Sequence, residues 1–259
     1  MRIALLCSHS HDLTLRWVED ALRSLGHEVE TAHRPGLPTA DAASLGYRLA
    51  DGWTDAPAAV LALGTAAGLA GLVATRERPA HLVLRLERPG RSGDHEATRV
   101  EAALARAADT VLAASPSETE DLVRMGVPRA RVHVVPEAVE GASLHPAAGT
   151  DDPMPVVALD DSAGSVHDLL RGMAAGRPAV VVDAGCLPDL VAEGVCGVVV
   201  PSRGDLRGAL LALTADGIRR SAMGLAAADR VNACYDAPVV TAALGRTLER
   251  VVTAATRAA

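Results

Sequence analysis

The chain has 259 residues, enough for one large domain or two small ones. Its net charge of −7, from 25 basic and 32 acidic residues, argues against nucleic-acid binding. Apolar residues make up 49 %, yet Phe is absent and Trp and Tyr number two each, so the core must be built from Ala, Val and Leu.

The opening MRIALLC reads as a buried first strand and not as a signal peptide, since it lacks a separate basic region and a cleavage site. No stretch reads as a charge-free membrane span, and a cytoplasmic protein is expected. Cys7, Cys186, Cys196 and Cys234 show no CxxC spacing. Neither structural zinc nor a disulfide framework is therefore expected, and no cofactor is expected.

Strand Arg2–Cys7, a helix over 13–25 with Leu15, Val18, Leu22 and Leu25 near one face, and strand Glu28–Thr31 predict an opening βαβ unit. Its first turn is not glycine-rich but polar: Ser8, His9, Ser10, His11, Asp12. Three readings stand there. The loop is solvated with Asp12 capping the helix; or His9 or His11 meets a substrate; or the cluster holds a metal. Next come a short helix over 42–49, strand 60–63 and a small-residue helix over 64–74 able to pack very close to the sheet. Strand 80–84 follows, with Arg85 and Arg88 after it, positioned either to meet an anionic ligand or to form a surface ion-pair loop. Helix 96–108, strand 111–114, helix 118–125 capped by Ser115 or Ser117, and strand 132–135 close this half.

Residues 141–155 read as a linker. Beyond it come strand 156–159, an amphipathic helix through Val166, Leu169, Leu170 and Met173 ending at Gly176, and the β-branched strand Ala179–Val182. A glycine turn at Gly185, a short helix 187–192, strand 198–200 and helices over 206–213, 218–233 and 239–252 complete the chain. The first half offers six strands and the second about three. Gly176 and Pro178 should mark the junction from helix to strand, with Val181 buried.

Three colinear passages carry a family resemblance. MRIALL…LRSLGHEVE, AADTVLAASPSETEDLVRMGVPRARVHVVPEAVE and GMAAGRPAVVVDAGCLPDLVAEGVCGVVVP are together similar to the GT-B glycosyltransferases of the family 4 type. The resemblance implies an α/β, GT-B-like architecture. A Rossmann-like N-terminal domain (1–140) and the linker would be followed by a reduced donor-type α/β domain (156–235) and a C-terminal helix (236–259) packing back toward the first domain. It implies a nucleotide sugar as ligand. Read from their places at strand ends, turns and helix faces, Ser8, Arg85, Arg88, Arg171, Gly185, Cys186 and Leu187 are the binding candidates; the catalytic residue is left unassigned, with His9, His11 and Asp12 as candidates.

Departures from the family pattern bear on chemistry. The stretch between the VVPEA turn at Pro136 and the GMAAG helix end is too short for the strands that carry the diphosphate-binding cations of similar enzymes. Their paired glutamates match Ala163 and Arg171, the phenylalanine–glycine step between them matches Ser165 and Val166, and their first-domain histidine falls at or near Leu63. A carboxylate accepts hydroxyl hydrogen bonds, whereas guanidinium only donates. Arg171 suits a phosphate, an acidic partner, or simply a solvent-facing helix position.

The expected function is thus a glycosyltransferase-like protein with lost or strongly reduced catalysis. It would act as a homo-oligomer or as the auxiliary partner of another enzyme, such as a transferase, through a sheet edge or apolar face that the shortening uncovers. The alternatives are an active nucleotide-sugar-dependent transferase with a rebuilt site, and a nucleotide or small-molecule binder or hydrolase on the same fold.

Overall fold

A computed structural model describes residues 1–8, 12–78, 80–91, 93–139 and 154–258, with Asp12, Leu13 and 254–258 described by backbone alone. Most of the expected linker, and His9 and His11, lie outside the described residues. The chain divides into two compact units. One comprises 1–114, 118–135 and 241–259, and the other 115–117 and 136–240.

The first unit is a six-stranded, wholly parallel sheet in the order β2-β1-β3-β4-β5-β6, formed by β1 (Arg2–Cys7), β2 (Glu28–His33), β3 (Ala59–Leu63), β4 (His81–Arg85), β5 (Thr110–Ala113) and β6 (Val132–Val134). Its helices are α1 (Asp12–Ser24), α2 (Ala42–Gly52), α3 (Thr65–Glu77), α4 (His95–Ala107) and α5 (Pro116–Arg124). β3 is buried at all five positions, because a parallel sheet is covered on both faces and leaves no polar alternation. On one face Val60, Ala62, Leu82 and Leu84 pack against Ala66, Ala67, Ala70 and Leu104. A Cβ at Gly68 would sit 2.6 Å from Leu84 and Leu104 side chains, so the small-residue pattern of α3 is what lets this helix lie so near the sheet. Leu15, Val18 and Leu22 are buried as the helical spacing predicts, while Leu25 falls past the helix end and is 37 % exposed.

In the second unit β7 (Val156–Ala158), β8 (Ala179–Val182) and β9 (Gly197–Val200) form a parallel sheet in that order. Its helices are α6 (Ala163–Ala174), α7 (Leu187–Leu190), α8 (Leu206–Ala215), α9 (Gly217–Cys234) and the start of α10 (Ala237–Ala258), which continues into the first unit. The period of two along β8 sorts the core. Ala179 and Val181 join Leu169, Leu170, Met173 and Leu187, while Val180 and Val182 join Leu213 of α8 and Met223 of α9. The end of α6 closes as a Schellman cap. Gly176 takes φ +77°, its N–H donates to the Met173 carbonyl (2.9 Å), and the Arg177 N–H donates to that of Gly172 (3.1 Å). Pro178 then releases the chain into β8.

Candidate functional site

The first sheet reverses its winding between β1 and β3. From β1 the chain steps outward to β2 and returns to β3 on the opposite side. The carboxyl ends of those two strands are where doubly wound sheets place ligands. Ser8 stands there, directly after β1. Its N–H donates to the Leu63 carbonyl (3.2 Å), and its Oγ accepts the Ala67 N–H in the first turn of α3 (3.3 Å). Gly64, at φ +97°, makes the sharp exit from β3 and donates its N–H to the Arg85 carbonyl (2.8 Å). The amino end of α3 therefore lies at these strand ends, with Ser8 already bonded to one of its amides.

Arg85 closes β4 and is buried at 7 % exposure. Its guanidinium donates to the Val135 carbonyl (2.9 Å), fastening the end of β4 to the exit of β6. The surface-loop reading of Arg85 is thereby corrected: the strand runs one residue further than the apolar pattern indicates, and a central strand's end is covered. Arg88 is exposed and sits at φ +48°, the one positive φ outside glycine among the described residues. Its turn is held rigid from below. The Gly90 N–H donates to Glu101 Oε2 (3.0 Å), and Arg91 Nε to Asp121 Oδ2 (2.9 Å). Burial pushes the Glu101 carboxyl above its ordinary range, opposed by that Gly90 bond.

In the second unit, Ser162 caps α6 by accepting the Ser165 N–H (3.4 Å). Ala163 begins this helix and Arg171 stands exposed in its last turn. One turn earlier His167 is half-buried. Burial first, then the Arg171 charge, lowers its pKa, against the pull of Asp168 and of Glu137 in the loop after β6. The structure thus groups Arg171 with His167 and Glu137, a cluster whose sequence signal is the four-residue His–Arg spacing on one helix face. Gly185 takes φ +59° in the turn after β8. Cys186 and Leu187 send their side chains into the core, at 7 % and 0 % exposure, and the Leu187 N–H is bonded to the Ala184 carbonyl (3.2 Å).

Sequence reasoning missed the clamp on α7. Arg230 of α9 donates to the carbonyls of Leu190 and Asp189 (both 2.7 Å), and Asp189 Oδ2 accepts the Ser117 N–H (2.9 Å). Of the two expected caps, Ser115 directly precedes α5 and Ser117 lies within it, while Glu118 reaches back to the Ala114 N–H (2.6 Å). Among the described residues no group of three or more His, Cys, Asp or Glu can hold a metal, and no helix is long and apolar enough to cross a membrane.

The histidines set an acid limit on stability. His27, His81, His133 and His167 are all lowered from their ordinary 6.5, burial being the largest cause in each. Each binds its proton less readily folded than unfolded. Their contribution is therefore full above 6.5 and is lost as pH falls through the folded values. Glu101 runs the other way: its contribution is full below 4.5 and is lost as pH rises through its raised value. Urea midpoints should fall on acidification below neutrality. His81, whose Nε2 lies 3.0 Å from Thr110 Oγ1, should show its share as a shallower fall in His81→Gln. A flat profile would contradict the assignment.

No family model matches the chain, and no curated protein matches it in sequence. Solved structures do match in shape. Sucrose-phosphate synthase from Thermosynechococcus elongatus superposes with a TM-score of 0.77 at 14 % identity, over 98 % of this chain and 100 % of that one. HepE of Anabaena, solved with UDP-glucose, gives 0.73 at 13 % identity over 96 % and 100 %. A glycosyltransferase from Rickettsia africae gives 0.71 at 9 % identity over 97 % and 98 %. At these identities the likeness establishes the fold: the chain is an α/β protein of GT-B type.

Proposed function

We propose that this chain is a glycosyltransferase-like protein of the family 4 type with lost or strongly reduced catalysis, serving as an auxiliary partner of another enzyme. The carrying observation is how the candidate polar groups are engaged. Ser8 is bonded to α3, Arg85 is buried on the Val135 carbonyl, and α6 displays a guanidinium, not a carboxylate, at position 171. A donor-only group cannot accept from ribose hydroxyls. Transition-state stabilisation by positioned charges is worth roughly 3–4 kcal/mol for each group in comparable sites, so several losses together leave little of the ordinary transfer.

A nucleotide sugar remains the ligand class, in keeping with the UDP-glucose bound by the HepE neighbour. In the first unit the amino end of α3, beside Ser8, would receive its negative charge. In the second unit Arg171 and the loop amides around Gly185 would do so. Binding should be weak and should fall with salt.

The test is UDP release from UDP-glucose by the isolated chain, beside Arg171→Ala. No release above background is expected from either protein. Strong turnover by the lone chain, abolished in Arg171→Ala, would instead establish a rebuilt transferase site in which Arg171 holds phosphate.

A further inference from the structure

Among the described residues β7 pairs with β8 on one side only and ends its sheet. The Val156 N–H donates to the Pro178 carbonyl (2.9 Å), so Val156 and Ala158 turn their main-chain groups toward β8. Val157, between them, directs its N–H and C=O outward. The side chains there are bare as well: Met154 is 58 % exposed, Val157 41 % and Leu159 39 %. Val157 lies in register with Val180 and Val198, which α8 covers, but the cover stops short of β7. The stretch Met154–Leu159 contains no charged residue that would blunt such an edge.

Charge decides what fits. Arg177 stands at the amino end of the strand, with Nε on the Met154 carbonyl (2.7 Å) and Nη2 on that of Pro155 (2.9 Å). Asp160 and Asp161 follow the carboxyl end. The edge is thus polarised, with a cation at its start and at its finish the Asp160 carboxylate, which is partly exposed and accepts the Ser162 N–H through Oδ1 (3.0 Å), while Asp161 is buried. A strand of the same kind laid antiparallel brings each Arg177 beside the other's Asp160, and does so at both ends at once. Laid parallel, it sets Arg177 against Arg177.

We propose that β7 is the contact by which two copies of this chain associate. Their β7 strands would pair antiparallel about a two-fold axis, joining the two small sheets into one of six strands. In that register Val157 faces Val157 across the axis and Leu159 faces the other copy's Pro155, and the two Val157 residues exchange their main-chain hydrogen bonds. The proposal rests on the reading above that the protein acts through association, and supplies the partner and the surface.

Sedimentation velocity across a wide concentration range should show a dimer that dissociates on dilution. Amide exchange over 154–160 should slow as the dimer forms. Val157→Lys, an exposed position, should keep the far-UV spectrum and weaken association about tenfold or more. A monomer at every concentration would overturn the proposal. So would a dimer whose exchange over 154–160 is indifferent to association, or unchanged association in Val157→Lys. The UDP-glucose assay reports on catalysis alone. A monomer without turnover ends the edge pairing and leaves the reduced-catalysis reading standing, and a β7-paired dimer with strong turnover does the reverse.

Discussion

Val181→Asp should cost roughly 3–5 kcal/mol at neutral pH, the penalty of an unpaired charge in an apolar interior. Val181 is fully buried in the central strand of the small sheet, in register with Ala158 on one side and Val199 on the other. Its face looks onto Leu169, Leu170 and Met173, which offer no donor. The same burial would raise the new carboxyl's pKa, so the folded form would hold its proton longer than the unfolded form. The loss should accordingly be smallest in acid and grow as pH rises. Val181→Ala, which removes two methyl groups without adding a charge, should cost about 2 kcal/mol and show no such pH dependence. Both tryptophans, Trp17 and Trp53, lie in the first unit, so indole fluorescence is not a local reporter of this change. Proteolysis or amide exchange over 156–201 does. A cost below about 1 kcal/mol would place the run at the surface.

Gly224→Ala should be as severe, against the ordinary trend. Glycine inside a helix is usually improved by alanine, by about 1 kcal/mol. Gly224 lies inside α9, yet a Cβ there would fall 2.1 Å from the Gly176 carbonyl oxygen and 3.0 Å from its carbon. That carbonyl cannot withdraw, because Gly176 is the left-handed residue of the α6 cap, Arg177 after it is bonded back to Gly172, and Pro178 comes next. The helix must move instead, and α9 carries Ala227 and Val231 in the same core as α6. A loss of about 3 kcal/mol or more is expected in urea unfolding followed by far-UV circular dichroism. Gly208→Ala is the control. It lies at an exposed position of α8 with nothing within 4 Å of a new Cβ, and should gain a few tenths to about 1 kcal/mol. Equal effects at the two sites would show that the close approach of α9 to Gly176 does not exist in solution.

Elements were legible because apolar runs and punctuation agree along this chain. Glycine follows the ends of α1, α5 and α6, at φ values of +78° for Gly26, +90° for Gly126 and +77° for Gly176, and each comes directly after a helix as bounded from the sequence or, for Gly176, at its named end. Boundaries drifted where polar residues extend an element. α2 runs on to Gly52, and β4 includes Arg85, whose charge had suggested that the strand was over. The destinations of polar side chains were not legible. Arg85 bonds a carbonyl fifty residues away, and Asp189 an amide seventy-two residues away. Both contacts depend on which elements become spatial neighbours, which local pattern does not encode. The charge at position 171 was readable as a departure from similar enzymes. Of its companions, His167 is signalled by its four-residue spacing on the same helix, but Glu137 is not, because it lies on a loop on the far side of the linker.

α10 gives the first unit a peculiar schedule of assembly. From Thr241 on it belongs to that unit, where Leu244, Leu248 and Val251 are buried and a Cβ at Gly245 would touch Leu25 at 3.0 Å. On a ribosome the six strands emerge early, but the piece that finishes their domain is made only after the entire second unit. Until then the nascent sheet carries an uncovered apolar patch, a natural client for a holding chaperone. The same discontinuity means that cutting the gene after residue 135 yields a domain missing part of its own wall. A version rearranged to begin with α10 would offer that wall first.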